Sequence, residues 1–528
     1  MKYKVLITTS GIGSRLGDLT DFTNKALVRV GDKPAITHII ESYPNNTSFV
    51  ITLGHYGNHV KEYVEIAHPE LDVSFVVVDK FVGPGTSLAY SILQAKQELQ
   101  CPFVFNACDT ILKDNSVLLQ STKKLQNFCF GNHKKNTSQY ATLLVEKNKL
   151  IKIKDKGELN YDFAYIGLCG IRDYDLFWEE LETAYYADQN NSSLYEGTAI
   201  NKMLKTKAFA FCETDGWLDI GNVGELEKTR QYFEVSAEVL EKKEESIYFF
   251  DDYVIKFFSN KEINKNRVIR AEQLGGLVPT IVDHGDNFYK YEKSKGKLFS
   301  KSVTEESFKR FLDWSMENLW KRQEYFPNAP NLRQNIEFSK TCHNFYIKKS
   351  LKRIDDYLDG KRDSVVTING VRIPTAKKLF EKLDIGWLCN GIPSQFHGDF
   401  ILDNILETET GFCLLDWRQD FGGNLVVGDI YYDLAKLNHN LTINHEIANK
   451  KLFDHSPENC YILCNSKLVA CKEILKFFIA ENGFDYKKVE ILTAIIWINM
   501  APLHEYPFNK FLYNFGKYNL NKALNYEN

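Results

Sequence analysis

The segment Phe396-His397-Gly398-Asp399, followed by Asn404, a turn at Glu409-Thr410-Gly411 and the apolar run Phe412 to Leu415 ending at Asp416, decides how the C-terminal half of the chain is read. Phosphoryl transfer to a hydroxyl needs one carboxylate to accept the proton, an amide oxygen to hold magnesium, and a second carboxylate to bridge metal and nucleotide phosphates. Asp399, Asn404 and Asp416 supply those groups in that order. A lone His-Gly-Asp fits a surface loop equally well. The asparagine and the strand-borne aspartate at matching offsets separate the two readings.

The interval from Asp399 to Asn404 is that of the protein-kinase catalytic loop, while His397-Gly398-Asp399 and Asp416-Trp417 replace its usual tripeptides. This variant resembles the aminoglycoside phosphotransferase and choline kinase family, which phosphorylates small molecules. The resemblance implies a bilobal α+β kinase-like domain using ATP and Mg2+. Ile247 to Phe250 and Tyr253 to Phe258 read as a hairpin turned at Asp251-Asp252. Lys256 in its second strand takes the role of the nucleotide-binding lysine, with Glu272 as its helix partner; a solvent-facing strand lysine is the alternative. Thr280 to His284 and Phe288 to Tyr291 read as a second hairpin. Lys295 to Leu298 resembles the hinge between lobes, and Gly428 to Ala435 resembles the helix that closes the site, where the aspartate is structural. Arg418 stands where choline kinases commonly place an acid, which disfavours a quaternary amine and suits a neutral polyol, a sugar or an acidic substrate. Arg418 is therefore a candidate acceptor-binding residue. Asn459 to Asn528 reads as amphipathic helix walling the acceptor pocket.

At the other end of the chain, Val5 to Thr8 reads as a buried strand running into Thr9-Ser10-Gly11-Ile12-Gly13-Ser14-Arg15-Leu16. Small residues let backbone amides approach phosphates, and an arginine can fork onto the same oxygens; an ordinary tight turn is the alternative. Asn24-Lys25, a hairpin turned at Gly31-Asp32, and Pro34-Ala35-Ile36 opening a helix follow. The order resembles the nucleotidyltransferases that make nucleotide-sugars and CDP-alcohols. Gly11, Gly13, Arg15 and Lys25 match that pattern, in which loop and arginine hold the triphosphate and the lysine neutralises the phosphates in transfer. Ser10 and Asn24 depart from it, standing where glycine and proline are common. The resemblance also puts Gly83 to Ser87, with Gly85 and Thr86, near the nucleobase, although a turn with a helix cap explains those residues almost as well.

Strands at Ser48 to Leu53, Val73 to Val78 and Pro102 to Cys108 alternate with helical segments, which argues for a doubly wound, mostly parallel α/β sheet. Asp109 ends the last of these, where open α/β sheets place ligands. Gly216-Trp217-Leu218-Asp219-Ile220-Gly221-Asn222 supplies a second carboxylate, so Asp109 and Asp219 are candidate metal ligands. Tyr161 to Gly170 reads as a strand. Glu196 opens a helix and is a candidate for acceptor hydroxyls, or an ordinary capping acid.

The 528 residues call for two or three domains. We place a nucleotidyltransferase domain at 1–240 and a kinase domain at 241–528, with an N-lobe at about 246–300 and a helical C-lobe at 301–528. The charged run over residues 225–246 reads as a helix joining them. A net charge of -4 makes no electrostatic case for nucleic acid. Eleven cysteines without a CxxC pair read as reduced thiols. The N-terminal apolar run is too short for a signal peptide, and no stretch approaches the length of a membrane span, so cytoplasm is expected, with a homo-oligomer possible.

The combined expectation is a bifunctional enzyme. ATP phosphorylates a small alcohol, polyol or sugar, and the product receives a nucleotidyl group from an NTP, CTP first, for surface polysaccharide. A sugar-1-kinase fused to a UTP- or GTP-dependent nucleotidyltransferase, and a nucleotide-sensing domain in place of one enzyme, remain the alternatives.

Overall fold

The computed structural model describes the chain apart from residues 1–2, 125, 135–136, 236–241, 324–330, 455, 457–458 and 526–528. The expected boundary at 240 lies outside the described residues. By packing, the chain divides into one unit made of Met1–Lys261 with Val282–Tyr291 and a second made of Glu262–Ile281 with Glu292–Asn528.

In the first unit, β1 (Lys4–Thr8), β2 (Ser48–Leu53), β3 (Val73–Val77) and β4 (Phe103–Ala107) pair in parallel in the order β3-β2-β1-β4. Val5, Leu6 and Ile7 of the central strand have no exposed surface, as expected of a strand covered on both faces. The covering helices are α1 (Ala35–Glu41), α2 (Gly57–Ala67) and α3 (Leu88–Gln94). β5 (Phe128–Asn132), β6 (Thr142–Glu146), β7 (Lys149–Lys154), β8 (Phe163–Ile171) and β9 (Ala210–Glu213) extend the sheet beyond β4 in the order β8-β5-β9-β7-β6.

That extension corrects the expectation of a mostly parallel sheet. β8 runs antiparallel to both β4 and β5, and β6 and β7 form a hairpin. Its turn residues Lys147 and Asn148 have φ of 51° and 59°, the left-handed pair that lets two residues reverse a twisted ribbon. Since Lys147 is not a usual turn former, the sequence carried little sign of it. Behind these strands lie α4 (Tyr174–Ala187) and α5 (Glu196–Met203).

The charged helix expected over 225–246, of which 236–241 lie outside the described residues, is also shorter than read. α6 (Val223–Arg230) is capped by the Asn222 side chain and ends at Gln231. Glu245 instead begins β10 (Glu245–Phe249), drawn into a ladder by β11 (Tyr253–Phe258). With β12 (Ile281–His284) and β13 (Phe288–Glu292) these make a four-stranded sheet in the order β10-β11-β13-β12. Tyr248, Ile255, Phe257 and Phe288 join one buried cluster with Val5, Ile7 and Tyr63. Glu62 of α2 accepts hydrogen bonds from the Asn287 and Phe288 amides at 2.8 and 2.9 Å. This burial carries the first unit past residue 240.

The second unit holds α7 (Lys261–Leu274), whose first residue packs with the first unit, then β14 (Lys297–Leu298), α8 (Glu305–Asn318) and α9 (Lys349–Leu358). β15 (Ile405–Thr408) and β16 (Gly411–Leu414) follow, with β14 pairing to β15 in a three-stranded sheet. α10 (Ile430–Asn440), α11 (Ser466–Glu481), α12 (Tyr486–Met500) and α13 (Phe508–Asn525) complete it. α12 departs from the amphipathic reading: Val489 and Ile491 to Ile498 are all buried, as in a helix enclosed by its neighbours. Among the described residues no helix is long and apolar enough to cross a membrane. All eleven cysteines are free thiols.

One glycine tests how tightly β8 is packed beside the strand that delivers Asp109. Gly170 of β8 pairs with Phe128 of β5, and a Cβ there would overlap the Phe128 ring. Gly170→Ala is expected to destabilise the first unit by about 1–3 kcal/mol, seen as a lowered thermal midpoint in calorimetry; an unchanged midpoint would mean the ring is free to move.

Candidate functional site

In the first unit the sequence candidates gather at the C-terminal ends of β1 and β4. Gly13, with φ of 68°, turns the loop after β1, and a Cβ there would press within 3.1 Å of Lys25 Cβ and Thr20 Cγ2. Gly11 and Arg15 are exposed on that loop. Lys25 follows Asn24, and Nζ of Lys25 reaches Asp109 Oδ2 at 2.5 Å. Burial opposes the charge on both partners. Their mutual attraction overrides it, holding the Asp109 carboxyl below its ordinary range and the lysine above its own.

The two departures from the expected motif have structural roles. Asn24 is wholly buried; its Nδ2 donates to the carbonyls of Thr9 and His55 at 2.7 and 2.6 Å, and its Oδ1 accepts from the Ala26 amide. A proline could tie none of these segments together. Ser10 hydrogen-bonds Ser91 of α3 at 2.8 Å.

Asp219 ends the strand Trp217–Asp219, which pairs antiparallel with Thr110–Leu112, so backbone register sets it beside Asp109. A Cβ on Gly221 would stand 3.0 Å from Asp219 Oδ1 and 3.5 Å from Asp109 Oδ2. Glycine thus leaves open a point flanked by two carboxylates, and hard oxygen donors of this kind suit magnesium. Residues missed in the sequence surround Asp219: Tyr140 donates to its Oδ2 at 2.5 Å, and Lys134 lies 3.4 Å from that oxygen and 2.9 Å from Glu225. Lys134 follows no recognisable motif, so only the fold brings it here. Alongside runs an open cleft of about 530 Å³ lined by Arg15, Gln139, Lys156 and Asn222.

Of the remaining candidates, Thr86 donates to the Gly83 carbonyl, Gly85 has φ of 82°, and Ser87 caps α3. Glu196 is buried at the first turn of α5, with no hydrogen-bond partner for Oε2 among the described residues. It is close enough to Asp109 for their charges to repel. Lys256 is buried on β11 opposite Ile247.

In the second unit, Asp399, Asn404 and Asp416 come together. Nδ2 of Asn404 donates to the Asp399 carbonyl at 3.0 Å and to its carboxylate at 3.3 Å. The backbone of Leu415, beside Asp416, donates to the Asn404 carbonyl. Lys436 of α10 lies 2.6 Å from Asp399 Oδ1; burial raises the Asp399 pKa, but the ammonium outweighs it and holds the group at about 2. Asp416 has φ of 53°, rare for a residue with a side chain, and pairs with Arg267 at 2.5 Å. Strain of this kind concentrates at functional sites.

The loop before Asp399 is fastened from inside. Asp433 of α10 accepts from the His397 and Gly398 amides at 2.8 and 2.7 Å and from the Trp320 indole at 3.1 Å. Fully buried Arg270 donates to the carbonyls of Phe396, Arg418 and Leu425. Glu272 is exposed near the end of α7, while Arg267 and Arg270 of the same helix bond Asp416 and the Phe396 carbonyl. Arg418 is half-buried and donates Nε to the Asp420 carbonyl at 3.0 Å.

Glu196 makes a charge test. Burial pushes its carboxyl up to about 7 from an ordinary 4.5. Below pH 4.5 the group is neutral in both folded and unfolded chains. As pH rises toward 7 the unfolded chain loses the proton first, so stability falls, and above that the fold carries a buried charge. Glu196→Gln is therefore expected to gain on the parent by roughly 2–3 kcal/mol between pH 5 and pH 8. Calorimetry across that range measures it, and parallel profiles would place the carboxyl in a polar setting instead.

Residues 4–236 match the family model described as Nucleotidyl transferase. The "Bifunctional protein GlmU" of Methanococcus vannielii is 24% identical over 239 residues, covering 43% of this chain and 54% of that protein. The "Choline-phosphate cytidylyltransferase" of Streptococcus pneumoniae is 30% identical over 113 residues, covering 21% of this chain and 47% of that one. The chain thus spans about half the length of the curated relatives it matches. Among solved structures, the CTP:phosphocholine cytidylyltransferase from Streptococcus pneumoniae aligns with a TM-score of 0.38 at 20% identity, over 44% of this chain and 99% of its own. On the family match over residues 4–236, with Lys25, Asp109 and Asp219 gathered at its strand ends, the N-terminal domain of this chain is a nucleotidyltransferase domain.

Proposed function

We propose that the chain is a bifunctional enzyme: its C-terminal unit phosphorylates a small hydroxylated molecule with ATP, and its N-terminal domain transfers a nucleotidyl group from an NTP to the phosphorylated product. Such a product is an activated building block of the kind surface polysaccharides require. The observation that carries the N-terminal reading is the pairing of Lys25 with Asp109 beside Asp219. CTP is the first choice of nucleotide, supported by the name of the cytidylyltransferase relative. The Asp219 to Asn222 segment keeps a sugar-1-kinase joined to a UTP- or GTP-dependent nucleotidyltransferase as the second reading.

At the N-terminal site a phosphate oxygen of the acceptor attacks the α-phosphorus of the NTP, and pyrophosphate leaves. Lys25 carries an ammonium to the phosphates in transfer, where developing negative charge needs a fixed cation. Gly11 and Gly13 keep side chains out of the path of the triphosphate, and Arg15 offers a forked donor from the cleft. Asp109 and Asp219 would hold magnesium, which supplies charge neutralisation on the triphosphate when bound. Asp399, at the C-terminal site, orients the acceptor hydroxyl and takes its proton. Asn404 and Asp416 would hold the magnesium of ATP, and Asp433 and Arg270 keep the loop in place.

Two assays separate the halves. Lys25→Met and Asp109→Ala are expected to cut pyrophosphate release from CTP and a phosphorylated acceptor by roughly 100-fold or more. Asp399→Asn should leave that reaction intact while ending ADP release from ATP and the unphosphorylated acceptor. Undiminished pyrophosphate release in Asp109→Ala removes that residue from catalysis. No release from the parent enzyme with any of the four triphosphates favours a nucleotide sensor.

A further inference from the structure

Between the helix Asn331–His343 and α9, residues Asn344–Lys348 form a single π-helical turn. Single π-helical turns are rare and recur at functional sites. Phe345, Lys349 and Arg353 stand four residues apart along this stretch, and the Phe345 ring meets Arg418 and Phe421, which follow Asp416. Nζ of Lys349 lies 4.2 Å, and Cζ of Arg418 5.0 Å, from the centre of the Phe345 ring. The Phe421 and Tyr432 rings pack on that phenyl group at 4.4 and 4.8 Å. Lys436 adds a third cation, and the charges of Arg418, Arg353 and Lys436 all repel that of Lys349.

Two acids face this group. Asp399 is engaged by Lys436, and Asp420 attracts Lys349 at a distance. Lys349 makes no ion pair or hydrogen bond among the described residues, and the terminal nitrogens of Arg418 make none either. Gathering half-buried cations around an aromatic floor works against folding unless a ligand supplies the opposing charge. The position of the cluster says which ligand. It adjoins the carboxylate proposed to receive the acceptor's proton, and that carboxylate is still 36% exposed.

We propose that the acceptor phosphorylated by the C-terminal unit is a small hydroxylated molecule bearing a negative charge, with its anionic group between Lys349 and Arg418 and its hydroxyl at Asp399. This rests on the phosphotransferase reading and narrows it, setting aside neutral polyols and amines. In the reaction the acceptor's hydroxyl oxygen forms a bond to the γ-phosphorus of ATP. The bond from that phosphorus to the β–γ bridging oxygen breaks, ADP leaves with the electron pair, and the hydroxyl proton passes to Asp399.

The full-length protein, saturated with magnesium and AMP-PNP, is titrated by calorimetry with glycerate against glycerol and with glucuronate against glucose. In at least one pair the anionic member is expected to bind tenfold tighter or better. Lys349→Met should abolish that preference while leaving AMP-PNP affinity unchanged and the thermal midpoint no lower; Arg353→Gln, farther along the same helix, should weaken it about threefold and serves if Lys349→Met does not fold. Equal affinities within both pairs, no binding by any of the four, a preference indifferent to the substitutions, or lost AMP-PNP affinity each overturns the proposal. The same compounds are then incubated with ATP. A charge preference without ADP release retires the phosphotransferase reading and leaves the anion site standing, whereas ADP release with the neutral members alone does the reverse.

Discussion

A carboxylate at the edge of a packed core must have its charge answered, and in this protein each of four aspartates at the candidate sites is answered by a cation. Asp109 has Lys25, Asp219 has Lys134, Asp399 has Lys436 and Asp416 has Arg267. Taking an unpaired carboxylate out of water costs several kcal/mol, and a well-placed cation recovers most of that. All four cations come from parts of the chain remote in sequence from their partners. They are also of the sign that phosphate groups require, which is what the nucleotide-binding role proposed for each site needs.

The supports behind these pairs differ between the units. In the first, the backbone does most of the placing: β4 delivers Asp109, the pairing of Trp217–Asp219 with Thr110–Leu112 fixes Asp219 beside it, and Asn24 ties the loop after β1 to the segment carrying Lys25. In the second, buried side chains do it. Asp433 and Arg270 hold the turn before Asp399 by its amides and carbonyls, and buried His397 bonds through Nε2 to the Leu415 carbonyl. Burial pulls the His397 pKa down to about 4, so a neutral ring links the two halves of the loop across a wide pH range.

The readings that needed correction share a cause. The β6–β7 hairpin turns on Lys147-Asn148, whose left-handed backbone is set by the strands it joins and not by local preference. Glu245 joins a strand because β11 offers it a partner, although its neighbours look like a charged helix. α12 reads as amphipathic, yet every residue from Ile491 to Ile498 is buried by its neighbours. In each case a contact from elsewhere in the chain outweighed a local tendency worth less than about 1 kcal/mol per residue.

By itself the amino-acid order determined the parallel core of the first unit and marked the acids in the loops and at the strand ends that are the candidate groups of both. Apolar strands of β1 to β4 type, glycines at tight turns and acids at strand ends are local patterns, and local patterns survive in one dimension. Tertiary structure alone decided which cation meets which acid, how far the first unit reaches past residue 240, and that Lys349 and Arg418 share the Phe345 ring within reach of the Lys436 charge. Charge pairing depends on distance in space, which falls within a few ångströms only after the chain has packed.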